Sequence, residues 1–388
     1  MATRSKTAAP VTAAAQSLYE PTSNEIRYCT MREPRPRVFP QNVTGDHLEA
    51  LIVLGNKWVN GTVLHYYFFD KPSDGENVVL SDGSTQFRPW STVEAEKDIV
   101  RHGFKVWMDI GIGLKFVEVP TREEAQVRIG FQRGDGAWSA IGRDILNYGK
   151  DFRTMNFGWD LVTYFKGLDT ATHEIGHTLG LPHEHQNPNS GIVWNEPAVY
   201  ADLASPPNLW SQPVTFHNII QKIDPDTVQG SSWDPDSIMH YPFKAGLIDQ
   251  PVKYRTQPLV PAGGLSDRDL TWIKTFYPAQ TVPLPGGMPE LKPFESVPMT
   301  IAAGQQLDFA IRPIETRYFE IKTFGHSDTV IVLFEDDNGT ERYMTADDDS
   351  GEETNAYLKV KLVKDHKYIL RARLYYANAA GQSAIMLW

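Results

Sequence analysis

The sequence predicts an α+β unit followed by a smaller all-β unit, and three observations carry that prediction. Up to residue 278, strand-like runs rich in β-branched and aromatic residues alternate with runs of helical spacing. A Pro/Gly-rich stretch over 279–298 then interrupts the pattern. Beyond it come short strand-like runs between turn signals, the pattern of a small β-sandwich. The expected organisation is an N-terminal extension over 1–53, a main unit over 54–278, a linker over 279–298 and a β-sandwich over 299–388.

The elements follow in order. The first 25 residues are rich in Ala, Thr and Ser and have no periodic pattern. The prolines between Glu33 and Pro40 hold the next stretch extended. Lys57–Phe69 reads as the first strand. Ser91 and Glu94 have the spacing of a capping box, and Ala95, Ile99, Phe104, Trp107 and Met108 continue it as one long helix. Leu114–Val119, Gln126–Phe131 and Thr154–Gly158 read as further strands, and a histidine-bearing helix begins near Asp169 or Thr170 as its cap. The stretch from Asn187 to Trp233 reads as irregular. A last helix spans Gly264–Tyr277, with Ser266 as N-cap, Asp269 as its N3 acid and Pro278 closing it. In the C-terminal unit, Tyr318–Lys322, Thr329–Phe334, Ala356–Leu362 and Tyr368–Leu374 read as strands.

Composition narrows the partners. A net charge of −11 argues against a nucleic-acid-binding surface. No apolar run approaches the roughly 20 residues of a membrane helix. Cys29 is the single cysteine, so no intramolecular disulfide forms. The N-terminus is basic but lacks the apolar core of a signal peptide. Secretion is therefore expected by a route not visible in these residues, with a cytoplasmic location as the alternative, and the chain is expected to be a monomer. The sequons at Asn42, Asn60 and Asn338 carry meaning only in a glycosylating pathway.

The chemistry concentrates in His173-Glu-Ile-Gly-His-Thr-Leu-Gly-Leu-Pro-His-Glu-His185. On a helix, His173 and His177 leave the same face, and Glu174 lies one residue round from His173. Gly180 suits the left-handed position that ends a helix, and Pro182 cannot continue one. The chain can then turn back and bring His183 to the same point. Three neutral imidazoles with an open fourth position are the ligand set of one catalytic zinc ion. Downstream lies Ser237-Ile-Met-His-Tyr241, and a zinc helix followed by such a methionine turn is the metzincin signature.

These two segments together resemble the astacin family of zinc endopeptidases. The resemblance implies a twisted, mostly parallel sheet with an antiparallel edge strand, long helices, the zinc helix and the Met-turn. It implies His173, His177 and His183 as zinc ligands and Glu174 as general base. It gives Tyr241 as an additional ligand that swings away to stabilise the oxyanion, Glu184 a structural role and Met239 the floor beneath the metal. In the family an edge strand above the zinc pairs with substrate, which makes Ala137, Trp138 and Ser139 the candidates for backbone contacts. The substrate is then a protein or peptide. The absence of disulfides departs from the animal members of the family. His185 and His240, close to the motif positions, are candidates to tune the site.

Within this resemblance the N-terminal extension reads as an inhibitory pro-segment with two candidate latency ligands. Asp46 follows glycine, as in the family's pro-segments, but valine stands at 43 where the family has phenylalanine. Cys29 offers a thiolate, a good zinc ligand. A turn aspartate and an ordinary free cysteine are the plainer readings. The acidic turns Glu335–Gly339 and Ala346–Glu352 offer oxygen donors of the kind calcium takes, or are solvated loops. Two rival functions stand beside the endopeptidase: a binding or adhesin protein acting through its β-domain, and a zinc hydrolase of cell-wall peptides.

Overall fold

The structure, a computed structural model, describes residues 26–31, 58, 62–80, 82–223, 232–277, 279, 288–348, 350–351, 354–375 and 380–388. The main sheet has five strands: β1 (Val63–Phe68), β4 (Lys115–Glu118), β5 (Val127–Gly130), β6 (Trp138–Ser139) and β7 (Met155–Asn156). Between β1 and β4 the chain forms a separate hairpin of β2 (Gly75–Val79) and β3 (Thr85–Pro89). The sheet order is β4-β1-β5-β7-β6; the first three pairings are parallel, and β6 runs antiparallel to β7 at the edge. Tyr66 of β1 sits opposite Val127, and Trp138 opposite Asn156. β1 is buried along almost its whole length because helices and chain cover both faces, as parallel sheets require.

Two helices lie against one another beside this sheet. Helix α1 (Glu94–Asp109) buries Val100, Phe104 and Trp107, and α2 (Gly167–Thr178) is buried along most of its length. Gly103 sets their separation: a Cβ there would lie 2.9 Å from Ile175 and 3.2 Å from Ala171. Trp107 Nε1 donates to the Thr172 carbonyl at 2.9 Å, locking the pair.

Two of the three expected helix caps need correction. Helix α1 starts from Val93 with no side-chain cap. Glu94, the acid of the expected box, pairs with Arg101 at 2.5 Å, and Thr92 bonds Glu96. Glu96 is buried and also takes Arg133 at 2.5 Å and the Leu161 N–H at 2.8 Å, while Glu94 is held by Arg101 of the same helix instead of by Ser91. Helix α2 starts at Gly167 with Lys166 as N-cap, ahead of Asp169 and Thr170. A Cβ at Gly167 would lie 1.9 Å from the Leu161 carbonyl, so only glycine admits this close entry.

The expected irregular stretch is more ordered than its sequence shows. It holds β8 (Val193–Trp194), α3 (Glu196–Leu203), the single turn α4 (Gln212–Thr215) and a π turn over Phe216–Ile220. β8 pairs with the distant β9 (Ile248–Gln250), so no local pattern announces it. The last helix, α5 (Asp267–Phe276), has the expected capping box between Ser266 and Asp269.

The C-terminal region forms two four-stranded antiparallel sheets. One has the order β10 (Ser296–Ile301), β17 (Gly381–Leu387), β12 (Arg317–Phe324), β15 (Tyr357–Leu362). The other has β11 (Gln306–Ile311), β16 (Tyr368–Leu374), β13 (Thr329–Asp337), β14 (Thr340–Asp347). Ile321, Ile331, Leu333, Leu370 and Ile385 are among the residues packed in its core. The four strands expected here are present, and β10, β11, β14 and β17 are additional. The first acidic turn is a two-residue hairpin loop, with Asn338 and Gly339 both at positive φ and Asp337 opposite Thr340. In the second, Asp347 accepts from Ser350 N at 2.9 Å and Tyr357 N at 2.8 Å, while Asp348 faces Arg143 at 3.7 Å. Protein donors occupy these carboxylates, so calcium is not supported.

Candidate metal centre

Helix α2 delivers the first two histidines and then stops where the motif requires. Leu179 is the C-cap and Gly180 follows at φ 91°. Gly180 N donates to the His177 carbonyl at 2.8 Å, and Leu181 N to the Gly176 carbonyl at 3.0 Å. These bonds close the helix in the manner of a Schellman turn, and they send the chain back so that His183 returns to the open side of the helix.

His173, His177 and His183 converge with their Nε2 atoms, and Cys29 completes the cluster. Its Sγ lies 3.3 Å from His173 Nε2, 3.6 Å from His177 Nε2 and 3.1 Å from His183 Nε2. The four ligand atoms lie within 4.8 Å of one another and all four residues are buried. The opposite ring nitrogens of two are engaged: His173 Nδ1 donates to the Ile238 carbonyl at 2.8 Å and His177 Nδ1 to the Leu181 carbonyl at 2.7 Å. Those bonds leave the Nε2 lone pairs free to ligate. Burial keeps the imidazoles neutral; it pushes His173 down to about 4 and the other two well below their ordinary value.

The donor set fits zinc. A tetrahedral ion with one sulfur and three imidazole ligands has S···N edges of about 3.6 Å at ordinary bond lengths. The observed edges run from 3.1 to 3.6 Å.

Glu174 is fully buried at this cluster, and neither carboxylate oxygen has a hydrogen-bond partner. Burial raises its carboxyl well above the ordinary range, with the nearby Cys29 thiol acting in the opposite sense. Tyr241 also reaches the cluster, its hydroxyl 2.6 Å from His183 Nε2 and 2.9 Å from Cys29 Sγ, and it donates to the Cys29 carbonyl at 2.7 Å. His185 stacks on Tyr241, and His240 Nδ1 donates to the Tyr241 carbonyl at 2.7 Å.

Met239 lies against helix α2 at Gly176, where a Cβ would come within 2.4 Å of its Sδ. That glycine, inside the histidine motif, carries no signal in the sequence, yet it is what admits the methionine. The turn is tied to α5: Ser237 Oγ donates to Asp269 Oδ1 at 2.7 Å and Ile238 N to Asp269 Oδ2 at 2.8 Å. Asp269 thus caps its own helix and holds the turn, a second task its spacing did not reveal.

Edge strand β6 and its neighbour bring Ala137, Trp138 and Ser139 beside the site. Ala137 O accepts from Thr30 N at 2.9 Å, so one of the three makes a backbone bond to the N-terminal segment. Trp138 lies under Arg153 at 5.4 Å, and Ser139 Oγ lies 3.2 Å from Thr178 Oγ1. Asp46 falls outside the described residues.

Glu184 shows a measurable consequence of this packing. It accepts from Asn187 Nδ2 at 3.0 Å and Asp234 N at 2.9 Å, while burial pushes its carboxyl up to about 7. Below about pH 4.5 the group is protonated folded or unfolded and costs nothing. Between there and pH 7 the unfolded chain ionises first, and stability falls; above pH 7 the whole cost is present. Glu184→Gln keeps both acceptor bonds and removes that titration. In chelator-treated protein the variant should gain on the order of 2 kcal/mol over the parent at pH 8 and little at pH 4.5. Urea melts at the two pH values check this; a parent-to-variant difference independent of pH contradicts it.

This fold and this donor set are those of the metzincin class of zinc proteins. Residues 88–195 match the family model for the astacin peptidases, a span that contains His173, His177 and His183. Karilysin from Tannerella forsythia is 26% identical over 174 residues, covering 39% of this chain and 31% of karilysin. The chain thus aligns with about a third of that protein's length. The structure of myroilysin is 28% identical, with a TM-score of 0.49, covering 58% of this chain and 97% of that one. The pre-peptidase C-terminal domain of collagenase from Bacillus anthracis is 13% identical, with a TM-score of 0.23, covering 27% of this chain and 98% of that domain. The similarity to the astacin peptidases is carried by that matched span.

Proposed function

We propose that this chain is a zinc-dependent endopeptidase kept latent by its own N-terminal segment, with Cys29 as the latency ligand. The observation that carries the reading is the Cys29 sulfur, within 3.6 Å of all three Nε2 atoms, where an active site would keep its fourth position open. The flanking residues support it. Tyr28 N donates to Asn208 Oδ1 at 3.4 Å, Thr30 N to Ala137 O at 2.9 Å and Met31 N to Asn218 Oδ1 at 2.6 Å. A segment bonded on both sides of the thiol, to Asn208, Ala137 and Asn218, occupies the approach a peptide substrate needs.

His173, His177 and His183 would hold the zinc, and Cys29 would complete its shell until displaced. When bound, zinc supplies Lewis acidity toward a peptide carbonyl and toward water. Glu174 is suited to the proton transfers. Its carboxylate is buried, without other partners and raised in basicity, so it can take a proton from the attacking water and return it to the leaving amine. Tyr241 is suited to the developing oxyanion. Its hydroxyl now donates to the Cys29 carbonyl, and release of the segment frees that donor for the tetrahedral oxygen. Burial holds the phenol well above its ordinary range, so it stays protonated as a donor.

Mapping cuts in a complex peptide library by mass spectrometry tests this reading. Zinc-loaded full-length chain carrying Cys29→Ala should cut, and the same chain with Glu174→Gln added should not. An inert Cys29→Ala chain, folded and loaded with zinc, contradicts the reading.

A further inference from the structure

The N-terminal segment reaches beyond the metal position: two of its side chains, Tyr28 and Arg27, pack into separate aromatic sites. Tyr28 is buried, although it lies in a segment that must leave. Its ring packs edge-on to Tyr241 at 5.1 Å, stacks on Phe243 at 5.9 Å and tilts against Trp210 at 6.1 Å. At the pocket's end its hydroxyl donates to the Pro242 carbonyl at 2.9 Å. The preceding Arg27 places its guanidinium 5.2 Å over the Trp159 ring and 5.8 Å from the Tyr164 ring. Trp159 and Tyr164 are themselves packed edge to face at 5.8 Å, so they form one aromatic wall.

We infer that these two pockets are the substrate's specificity subsites, and that the preferred substrate is a protein segment pairing a tyrosine beside the cut with an adjacent arginine or lysine. This rests on the endopeptidase reading above. Tyr28 adjoins the residue whose sulfur sits among the metal ligands, so the site it fills adjoins the reacting bond. An aromatic cage walled by Trp210, Tyr241 and Phe243 selects a flat ring over an aliphatic side chain. The Pro242 carbonyl at its end selects a phenol: a phenylalanine leaves that acceptor unmet, which corresponds to roughly a fivefold preference for tyrosine. The Trp159–Tyr164 wall favours a cation over a neutral chain by a similar factor, roughly fivefold. Asn208 and Trp210 come from the stretch between Asn187 and Trp233, where the sequence offered no motif to locate a pocket.

The test uses the full-length Tyr28→Ala/Cys29→Ala chain, loaded with zinc, in which neither the metal position nor the aromatic cage is filled by its own side chain. Library cut sites should show tyrosine enriched about fivefold over phenylalanine at one position next to the bond, with Arg or Lys enriched at a neighbouring position. Adding Trp210→Ala should erase the aromatic enrichment, and Trp159→Ala the basic one. Abundant cuts with no aromatic enrichment, or an enrichment indifferent to Trp210→Ala, overturn the inference. A chain that cuts nothing counts against the peptidase reading instead, and hydrogen exchange then decides the pocket without activity. In otherwise parental full-length protein, the amides of Thr30 and Met31 should exchange about tenfold faster in Tyr28→Ala and Trp210→Ala, and less so in Tyr28→Phe. Unchanged exchange in Tyr28→Ala and Trp210→Ala overturns the inference.

Discussion

Glu174→Gln, introduced beside Cys29→Ala, is expected to lower the rate of peptide hydrolysis by on the order of 10³- to 10⁴-fold while leaving zinc content unchanged. The substitution preserves shape and polarity but cannot take a proton. Among the described residues, Glu174 is the buried carboxylate that lies with the imidazole cluster, and its oxygens have no hydrogen-bond partner. Such a group is costly to bury and contributes nothing to packing that glutamine would not. The proposed mechanism gives that carboxylate the proton transfers, and the substitution isolates that role. If the glutamine variant retains activity within tenfold of its Cys29→Ala background, another group moves the proton and the assignment is wrong. Zinc content measured on both proteins separates a lost base from a lost metal.

Cys29→Ala alone should raise the hydrolytic activity of the full-length chain by about 100-fold or more. That factor corresponds to a sulfur-ligated state outweighing the open one by at least about 100:1, so that about 1% of the parent is competent. The sulfur is only part of the hold. The bonds from Thr30 to Ala137 and from Met31 to Asn218 remain in the variant, and the Tyr28 ring still fills its cage. Tyr28→Ala/Cys29→Ala should therefore exceed Cys29→Ala in activity. Initial rates on one quenched peptide, at equal zinc loading, give the comparison. Equal rates for parent and Cys29→Ala would mean that the thiol does not close the site.

The sequence made the metal cluster legible because its chemistry is local. His173 and His177 are one helical turn apart, and Gly180 marks the reversal that returns His183, so spacing alone specifies three converging rings. The parallel sheet and its antiparallel edge came through the resemblance carried by that motif and the Met-turn. The capping box at Ser266 also survived, because Asp269 serves both its helix and the turn at Ile238. The box at Ser91 did not, because Glu94 and Glu96 find stronger partners in Arg101 and Arg133. The local box yields there to ion pairs, one along the same helix from Glu94 to Arg101 and one from Glu96 to the distant Arg133.

What stayed hidden depends on long-range pairing. Cys29 and Asp46 were equal candidates in the sequence because nothing local distinguishes a thiol 144 positions from His173 from any other free cysteine. The cage around Tyr28 joins residues near 28, 210 and 242, a combination that no periodicity encodes. In the β-sandwich, β14 alternates too weakly to read as a strand, since its residues are mostly half-buried. Gly176 has no local signature either, because its role is set by a methionine that arrives from a distant turn.

The most direct test of the central claim is X-ray absorption at the zinc edge, on full-length protein as purified. The account expects one sulfur at about 2.3 Å with three nitrogen ligands at about 2.0 Å, and loss of the sulfur scatterer in Cys29→Ala. A first shell of nitrogen and oxygen alone in the parent would contradict it, because the thiol would then not be the group that keeps the site closed.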